Sequence, residues 1–175
     1  VENNQIYALT KGQYSPTSDV GFRTTTSPDG VVELPVNPVA VALAAGATFI
    51  ARSYAGEPKH LKRTIMAAMG HRGYALVDVL QPCVAFNKVN TYNWYAERIY
   101  DVANDDTYDP TSARDAWERG TEWGDRIPIG ILYRREGVPP YETHVPALAD
   151  GPLVDRDLTA RLDPGLLEQL KREYV

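Results

Sequence analysis

The sequence predicts an α/β domain built on a parallel sheet with flanking helices. Strand-like and helix-like segments alternate from residue 38 to residue 133, which is the pattern of consecutive βαβ units. The segment Tyr74–Leu80 (Tyr-Ala-Leu-Val-Asp-Val-Leu) is nearly all apolar, as expected of a central parallel strand covered on both faces. With 175 residues the chain is long enough to bury one hydrophobic core.

Local signals predict the first elements. Residues 5–37 are rich in Gly, Pro, Ser and Thr, so we expect a long loop, and loops of this length in compact domains tend to be functional. Pro38–Ala45 is predicted to form a short buried helix, with Pro38 in its first turn and Gly46 after its end. Branched and aromatic residues alternate over Thr48–Tyr54 and predict a strand.

A helix is predicted next, over Glu57–Met69. Its apolar residues recur at helical spacing and should be buried, while its Lys and Arg residues face water. The predicted buried face consists of Leu61, Ile65, Ala68 and Met69. The later predicted elements are helices over Thr91–Val102 and Thr111–Trp123, a strand over Ile127–Tyr133 and a polar helix over 157–173.

Composition excludes several classes of protein. The chain has 18 Lys+Arg and 23 Asp+Glu, a net charge of −5, which argues against general nucleic-acid binding. Its single cysteine excludes an internal disulfide framework and a zinc site of several local thiolates. No apolar run is long enough to span a bilayer and the start has no secretion signal, so we expect a soluble cytoplasmic domain without a membrane partner.

The N-terminus begins abruptly. Val1–Asn4 has the composition of the end of a strand whose earlier part is missing, so we expect the fold to be incomplete at its N-terminal side; a processed mature terminus is the alternative. The expected organisation is a main domain over 1–145 and a C-terminal extension with a helix over 146–175.

Two polar segments should meet at one edge of the sheet. Asn4 follows the presumed strand that ends near Val1, and Cys83 follows the strand over Tyr74–Leu80. Ligands of open parallel sheets bind outside the carboxyl ends of the strands. An Asn oxygen suits Mg²⁺, and a hydroxyl, a cation and a flexible backbone at 10–12 suit a phosphate group. From the residues alone, Asn3-Asn4 is only a turn signal, and a solitary cysteine such as Cys83 is most often a small buried structural residue.

Three stretches give the sequence a family resemblance. They are Asn3–Gln13 followed by Ser15–Ser18, Gly70–Asn87, and Glu122–Gly130. Together they resemble the beta subunit of the 2-oxoacid:ferredoxin oxidoreductases, over about residues 1–145. The resemblance implies a thiamine-diphosphate-binding fold, of the pyrophosphate-binding kind. It also implies oxidative decarboxylation of a 2-oxoacid such as pyruvate or 2-oxoglutarate to its acyl-coenzyme A, with electrons passing through a [4Fe–4S] cluster to ferredoxin, and an alpha subunit as partner.

The resemblance also implies roles for individual residues. Asn4 matches the family's side-chain ligand of Mg²⁺, and Ile6 matches a second ligand through its backbone carbonyl. Leu9 matches the bulky residue that supports the bent cofactor. Thr10 and Lys11 match positions near the diphosphate and substrate, where a cation could pair with the distal carboxylate of a dicarboxylic 2-oxoacid. Leu9 and Lys11 are therefore the candidate catalytic residues.

Cys83 matches the fourth cysteine ligand of the iron–sulfur cluster, which needs four thiolates. The family's Cys-x-x-Cys pair, its further cysteine and its Gly-Asp-Gly motif are absent from this sequence, so the chain alone cannot complete either site. Asn3 stands where many relatives have Asp, and Ala8 where Gly is common. Two alternatives stay open: a non-oxidative thiamine-dependent decarboxylase or synthase, and a non-catalytic subunit that retains the fold.

The remaining polar candidates are expected to be structural. His60, His71 and His144 lack metal-ligand spacing, and we expect solvent contact at His60 and helix capping at His71. Asp105-Asp106 is expected to be a solvated turn. The three tryptophans should lie in helices and pack in the core or at a contact between subunits.

Overall fold

A computed structural model describes residues 1–157 and 163–174. The chain divides into two units, Val1–Pro140 and Tyr141–Val175. No helix in the described part of the chain is long and apolar enough to cross a membrane. The first unit contains both of the polar segments predicted to meet at the sheet edge, the one at Asn4 and the one at Cys83.

Seven strands form two sheets in the first unit. They are β1 (Glu2–Asn3), β2 (Ile6–Tyr7), β3 (Gln13–Tyr14), β4 (Phe49–Tyr54), β5 (Ala75–Leu80), β6 (Ile99–Asp101) and β7 (Ile127–Arg134). The main sheet has the order β1-β5-β4-β7-β6, and β2 pairs with β3 in a separate antiparallel ribbon. The predicted α/β class and its mostly parallel central sheet are confirmed.

Four helices belong to the first unit. They are α1 (Pro38–Ala44), α2 (Pro58–Gly70), α3 (Tyr92–Ala96) and α4 (Ala113–Gly120). Local capping explains where α1 begins, because Asn37 Oδ1 accepts from the backbone N–H groups of Val39 at 3.0 Å and Ala40 at 3.1 Å. Ser112 caps α4 in the same way by accepting from the N–H of Asp115.

Helices cover both faces of the sheet around β4. Ile50 packs with Val39 of α1, Ala116 of α4 and Leu132 of β7 on one face. On the other face, α2 places His60 against Ser53. All six residues of β4 are buried. β4 is thus the fully buried central strand. Helices α1 and α2 contact β5 as well, but most of its residues are only half-buried, so the coverage expected for Tyr74–Leu80 on both faces is incomplete.

One pair of strands in the sheet is antiparallel, a detail that the predicted parallel sheet did not include. β1, β5 and β4 run parallel, and so do β6 and β7, but β4 and β7 are antiparallel. The single helix predicted over Thr91–Val102 is also wrong. The helix ends at Ala96, and Ile99–Asp101 forms the edge strand β6, because Ile and Tyr fit a pleated surface well.

The buried face of α2 also differs from the prediction. Its buried residues are His60 and Thr64, whereas Ile65 is 40% exposed and Met69 is 81% exposed. The polar pair can be buried because its atoms are satisfied: His60 Nδ1 bonds Ser53 Oγ at 2.7 Å and Thr64 Oγ1 donates to the carbonyl of His60 at 3.0 Å. The expectation that His60 contacts solvent is therefore wrong. His71 lies at the C-terminal cap of α2, as predicted.

In the second unit the described residues, 141–157 and 163–174, form short 3₁₀ turns and the helix α5 (Pro164–Glu173). Asp163 caps α5, accepting from the N–H of Gly165 at 3.0 Å. Of the helix predicted over 157–173, residues 158–162 lie outside the described residues. His144 lies in a 3₁₀ turn of this unit and is exposed.

Candidate active site

Two neighbouring parallel strands end at the candidate site. β1 pairs with β5 in a register that places Asn3 beside Leu80, and the N–H of Gln81 donates to the carbonyl of Asn3 at 2.9 Å. Because both strands end at the same edge, the segments that follow them lie side by side. The prediction that Asn4 and Cys83 share one edge of the sheet is confirmed.

The loop after Asn4 is a tight hairpin with a strained backbone. Its tip is closed by hydrogen bonds from Lys11 N–H to the carbonyl of Ala8 at 3.0 Å and from Gly12 N–H to that of Tyr7 at 2.9 Å. Gln5 and Lys11 have positive φ angles of 56° and 74° and are, among the described residues, the only non-glycine residues in this region of backbone space. Such a conformation costs on the order of 1–2 kcal/mol for an L-residue. Strain of this kind concentrates at functional loops.

Side chains of the Ser-Thr segment hold this hairpin in place. Thr17 Oγ1 donates to Asn3 Oδ1 at 2.8 Å, and Ser18 Oγ donates to the carbonyl of Gln5 at 2.5 Å. The N–H of Ser15 in turn donates to Ser18 Oγ at 2.9 Å. The hydroxyl groups of Thr17 and Ser18 are therefore engaged in positioning the loop.

Four of the predicted cofactor residues line one open cavity of about 810 Å³. They are Asn4, Ile6, Leu9 and Thr10. Lys11 is exposed at the end of the same turn and does not line the cavity. Leu9 is 97% exposed, which is costly for a large apolar side chain unless something covers it.

The oxygen atoms in the cavity suit a hard cation. Asn4 is half-buried, and its Oδ1 accepts one long hydrogen bond of 3.3 Å from the N–H of Ile6. A carbonyl oxygen has a second lone pair, so Asn4 Oδ1 retains capacity for a ligand. Thr10 Oγ1 donates to Gln13 Oε1. This donor set fits Mg²⁺ and a diphosphate, although it supplies only part of an octahedral shell.

Cys83 lies beside the hairpin on the same edge. It is half-buried and packs against the cluster of Ile6, Phe22 and Val31. Within the described residues no group of three or more His, Cys, Asp or Glu could hold a metal ion. A four-thiolate cluster at Cys83 would therefore need three cysteines from elsewhere.

Sequence reasoning missed two asparagines in the turn that follows Cys83. Asn87 is 2% exposed and Asn90 is 1% exposed. Asn87 Nδ2 donates to the carbonyl of Asn4 at 3.2 Å and to Asn90 Oδ1 at 3.2 Å. Sequence pattern could not reveal this contact, because Asn4 and Asn87 lie 83 residues apart in the sequence. The only indication was the presence of an Asn at the end of the stretch Gln81–Asn87.

One acidic side chain of the long loop also lies in this region. Asp19 accepts from Trp123 Nε1 at 2.9 Å. Burial raises the pKa of Asp19, and hydrogen bonds with Trp123 and Asn90 oppose the rise. Trp123 packs with Trp94 and Tyr95 as predicted, but it lies beyond the end of α4 and not in a helix, and Trp117 is 52% exposed.

Two family models match consecutive parts of the chain. Residues 1–79 match the C-terminal, thiamine-pyrophosphate-binding domain of thiamine pyrophosphate enzymes. Residues 83–150 match the C-terminal part of the pyruvate ferredoxin oxidoreductase beta chain. The first match ends at Val79, within β5, and the second begins at Cys83.

Curated relatives and a solved structure agree with these matches. The chain is 41% identical to a 2-oxoacid:ferredoxin oxidoreductase subunit beta from Sulfolobus sp, covering 97% of this chain and 62% of the relative. It is also 41% identical to the subunit of that name from Saccharolobus solfataricus, covering 87% of this chain and 54% of the relative. The structure of a 2-oxoglutarate:ferredoxin oxidoreductase from Magnetococcus marinus, with 2-oxoglutarate, coenzyme A and succinyl-CoA bound, is similar with a TM-score of 0.77 at 31% identity, covering 95% of this chain and 55% of that chain. The chain thus spans little more than half the length of these proteins.

Proposed function

This chain belongs to the family of 2-oxoacid:ferredoxin oxidoreductase beta subunits, and from this premise we propose that it binds thiamine diphosphate and Mg²⁺ and supplies one ligand of a [4Fe–4S] cluster. The observation that carries the proposal is the meeting of two motifs at one edge of the sheet. The hairpin after Asn4 and the turn after Cys83 come from neighbouring strands and are joined by a hydrogen bond. The binding function is assigned to residues 1–145, and 146–175 form an extension.

In this proposal the hairpin holds the diphosphate end of the cofactor. Asn4 Oδ1 and the backbone carbonyl of Ile6 are ligands of Mg²⁺, while the hydroxyl of Thr10 and the ammonium of Lys11 face the diphosphate or the substrate carboxylate. Leu9 projects from the tip of the hairpin, where the cofactor would cover its apolar surface. Its 97% exposure supports this role, since coverage by a ligand would remove a large apolar side chain from water.

Cys83 provides the link to electron transfer. Its thiolate is one of four cluster ligands, and the other three belong to a segment outside this sequence. The position supports the assignment because Cys83 packs against the hydrophobic cluster that contains Ile6 of the hairpin. One-electron transfer out of the active site needs the cluster close to the reacting atoms.

The proposed reaction is the oxidative decarboxylation of a 2-oxoacid, either 2-oxoglutarate or pyruvate, to its acyl-coenzyme A in the cytoplasm. Thiamine diphosphate, when bound, supplies the nucleophilic carbon and the electron sink. The residues of this chain orient the cofactor and compensate its charge. The substrate pocket is completed by an alpha subunit, and ferredoxin accepts the electrons.

The test is the cofactor content of the complete beta subunit purified with its alpha subunit. We expect thiamine diphosphate, magnesium and iron in the assembly, and reduction of ferredoxin that requires both a 2-oxoacid and coenzyme A. Thiamine diphosphate without iron would instead support a non-oxidative decarboxylase or synthase. Absence of thiamine diphosphate would favour a non-catalytic subunit and overturn the proposal.

A further inference from the structure

Asn87 connects the two motifs of the site through its side chain. We infer that Asn87 is a positioning residue that anchors Asn4 to the Cys83 turn and so sets the place of the magnesium-binding oxygen. The inference rests on the proposed function, since it concerns the same cofactor site. It does not require Asn87 to touch the cofactor.

Every hydrogen-bonding capacity of the Asn87 amide is used. Its Oδ1 accepts from the N–H groups of Val89 at 3.0 Å and Asn90 at 2.9 Å. Its Nδ2 donates to the carbonyl of Asn4 and to Asn90 Oδ1, both at 3.2 Å. Two N–H donors face Oδ1 of Asn87, and two oxygen acceptors face its Nδ2. The side-chain amide therefore fits in only one of its two flipped orientations.

The turn that carries Asn87 is also the turn of the proposed cluster ligand. The backbone N–H of Asn87 donates to the carbonyl of Cys83 at 3.1 Å. A second contact joins the same turn to the hairpin, because a Cβ atom at Gly12 would lie 3.1 Å from the ring of Phe86. The turn therefore packs against both ends of the hairpin, and Asn87 supplies its polar attachment.

The hydrogen bond from Asn87 to the carbonyl of Asn4 fixes the peptide group between Asn4 and Gln5. Asn4 is followed by Gln5, whose positive φ of 56° the surrounding structure must hold. Mg²⁺ requires near-ideal octahedral geometry, so a small shift of Asn4 would misplace its Oδ1. Groups that orient a metal ligand typically change metal affinity by about 10- to 100-fold when they are replaced.

The sharpest variant is Asn87→Asp in the complete beta subunit with its alpha subunit. The carboxylate keeps both accepted hydrogen bonds of the turn, but it replaces Nδ2 by an oxygen that faces two other oxygens. Asn87→Ser is a second variant, whose hydroxyl can still accept within the turn and cannot reach as far as Asn4. Asn93→Asp is the matched control, because it makes the same chemical change at an exposed position of α3.

The readouts are the dissociation constants of thiamine diphosphate and Mg²⁺, measured by titration, together with bound iron. We expect binding to weaken by about 10- to 100-fold in Asn87→Asp and Asn87→Ser, with iron retained, no change in Asn93→Asp, and activity recovered at excess cofactor and Mg²⁺. Wild-type affinity in both Asn87 variants would overturn the inference and leave the proposed function standing. Loss of iron and cofactor together in both variants would show that Asn87 only maintains the fold of the turn, and would also overturn it. A wild-type assembly that binds no thiamine diphosphate would instead refute the proposed function.

Discussion

Arg52 and Asp78 form a buried ion pair between the directly paired positions of β4 and β5. Arg52 Nε donates to Asp78 Oδ2 at 2.9 Å, and the two side chains are 1% and 0% exposed. Arg52 Nη2 also donates to the carbonyl of Gly120 at 3.1 Å, which ties the central strand to the end of α4. Such a pair is compatible with a stable fold only while both charges are present, because an unpaired buried charge is very costly.

Replacing Asp78 by Leu should destabilise the fold strongly. Arg52 would remain buried without its counter-ion, and we expect the free energy of unfolding to fall by about 3–5 kcal/mol in chemical denaturation of the complete subunit. The double variant Arg52→Met with Asp78→Leu should recover much of the loss, since it leaves no unpaired charge. Equal stability of Asp78→Leu and wild type would show that the pair contributes nothing.

Replacing Asn4 by Leu should abolish retention of thiamine diphosphate by the complete enzyme. The variant removes the side-chain oxygen proposed to bind Mg²⁺ while preserving the size of the residue. Asn4→Asp is the control, because a carboxylate oxygen is also a hard ligand and should retain the cofactor. Normal cofactor occupancy in Asn4→Leu, measured in the purified assembly, would remove Asn4 from the site.

Replacing Lys11 by Ala should slow turnover of dicarboxylic 2-oxoacids by about tenfold or more. The loss corresponds to one charged hydrogen bond of ~1.5–3 kcal/mol between Lys11 and a substrate or diphosphate oxygen. Lys59→Ala, at an exposed position of α2, is the matched control. Comparing 2-oxoglutarate with pyruvate tests the role directly, and unchanged kinetics with both substrates would leave Lys11 as a solvated loop residue.

Replacing Cys83 by Ser should remove or destabilise the iron–sulfur cluster. A [4Fe–4S] cluster needs four thiolates, and a serine hydroxyl is a poor substitute. We expect iron content and ferredoxin reduction to fall while binding of the 2-oxoacid persists. If iron content and ferredoxin reduction both stay at the wild-type level, Cys83 is only a half-buried thiol packed against a hydrophobic cluster.

Tyr100 should stabilise the fold at neutral pH and lose this contribution at alkaline pH. Its hydroxyl donates to Glu122 Oε2 at 2.6 Å, and burial, followed by the hydrogen bond and charge of Glu122, raises the pKa of Tyr100 to about 12. A raised folded-state pKa means that the contribution is complete below the ordinary tyrosine pKa of about 10 and is lost as the pH rises towards 12. Wild type should therefore be more stable than Tyr100→Phe at neutral pH, with the difference shrinking across that interval.

The measurement is the free energy of unfolding of both proteins as a function of pH. Tyr174→Phe is the control, because Tyr174 is 87% exposed. A difference between wild type and Tyr100→Phe that stays constant up to pH 12 would contradict the assignment of the raised pKa to this pair.

The local sequence pattern was sufficient to predict the helices and strands whose residues have strong structural preferences. Pro38 and Gly46 bracket α1, apolar and branched residues mark β4 and β5, and the strand over Ile127–Tyr133 is found as β7. The order of strands and helices was also enough to bring Asn4 and Cys83 to one edge of the sheet, because the carboxyl ends of parallel neighbours coincide.

Tertiary structure decided everything that depends on a distant partner. The Tyr92–Asp101 segment is split between a helix and an edge strand by its pairing with β7, and His60 is buried because Ser53 forms a hydrogen bond with it. Asp78 interrupts an apolar strand, and only the register with Arg52 explains it. Asn87 has no local pattern that reveals its bond to Asn4. Periodicity reports which residues one element buries, but a buried polar group is stable only beside its hydrogen-bonding partner, and that partner is chosen by the fold.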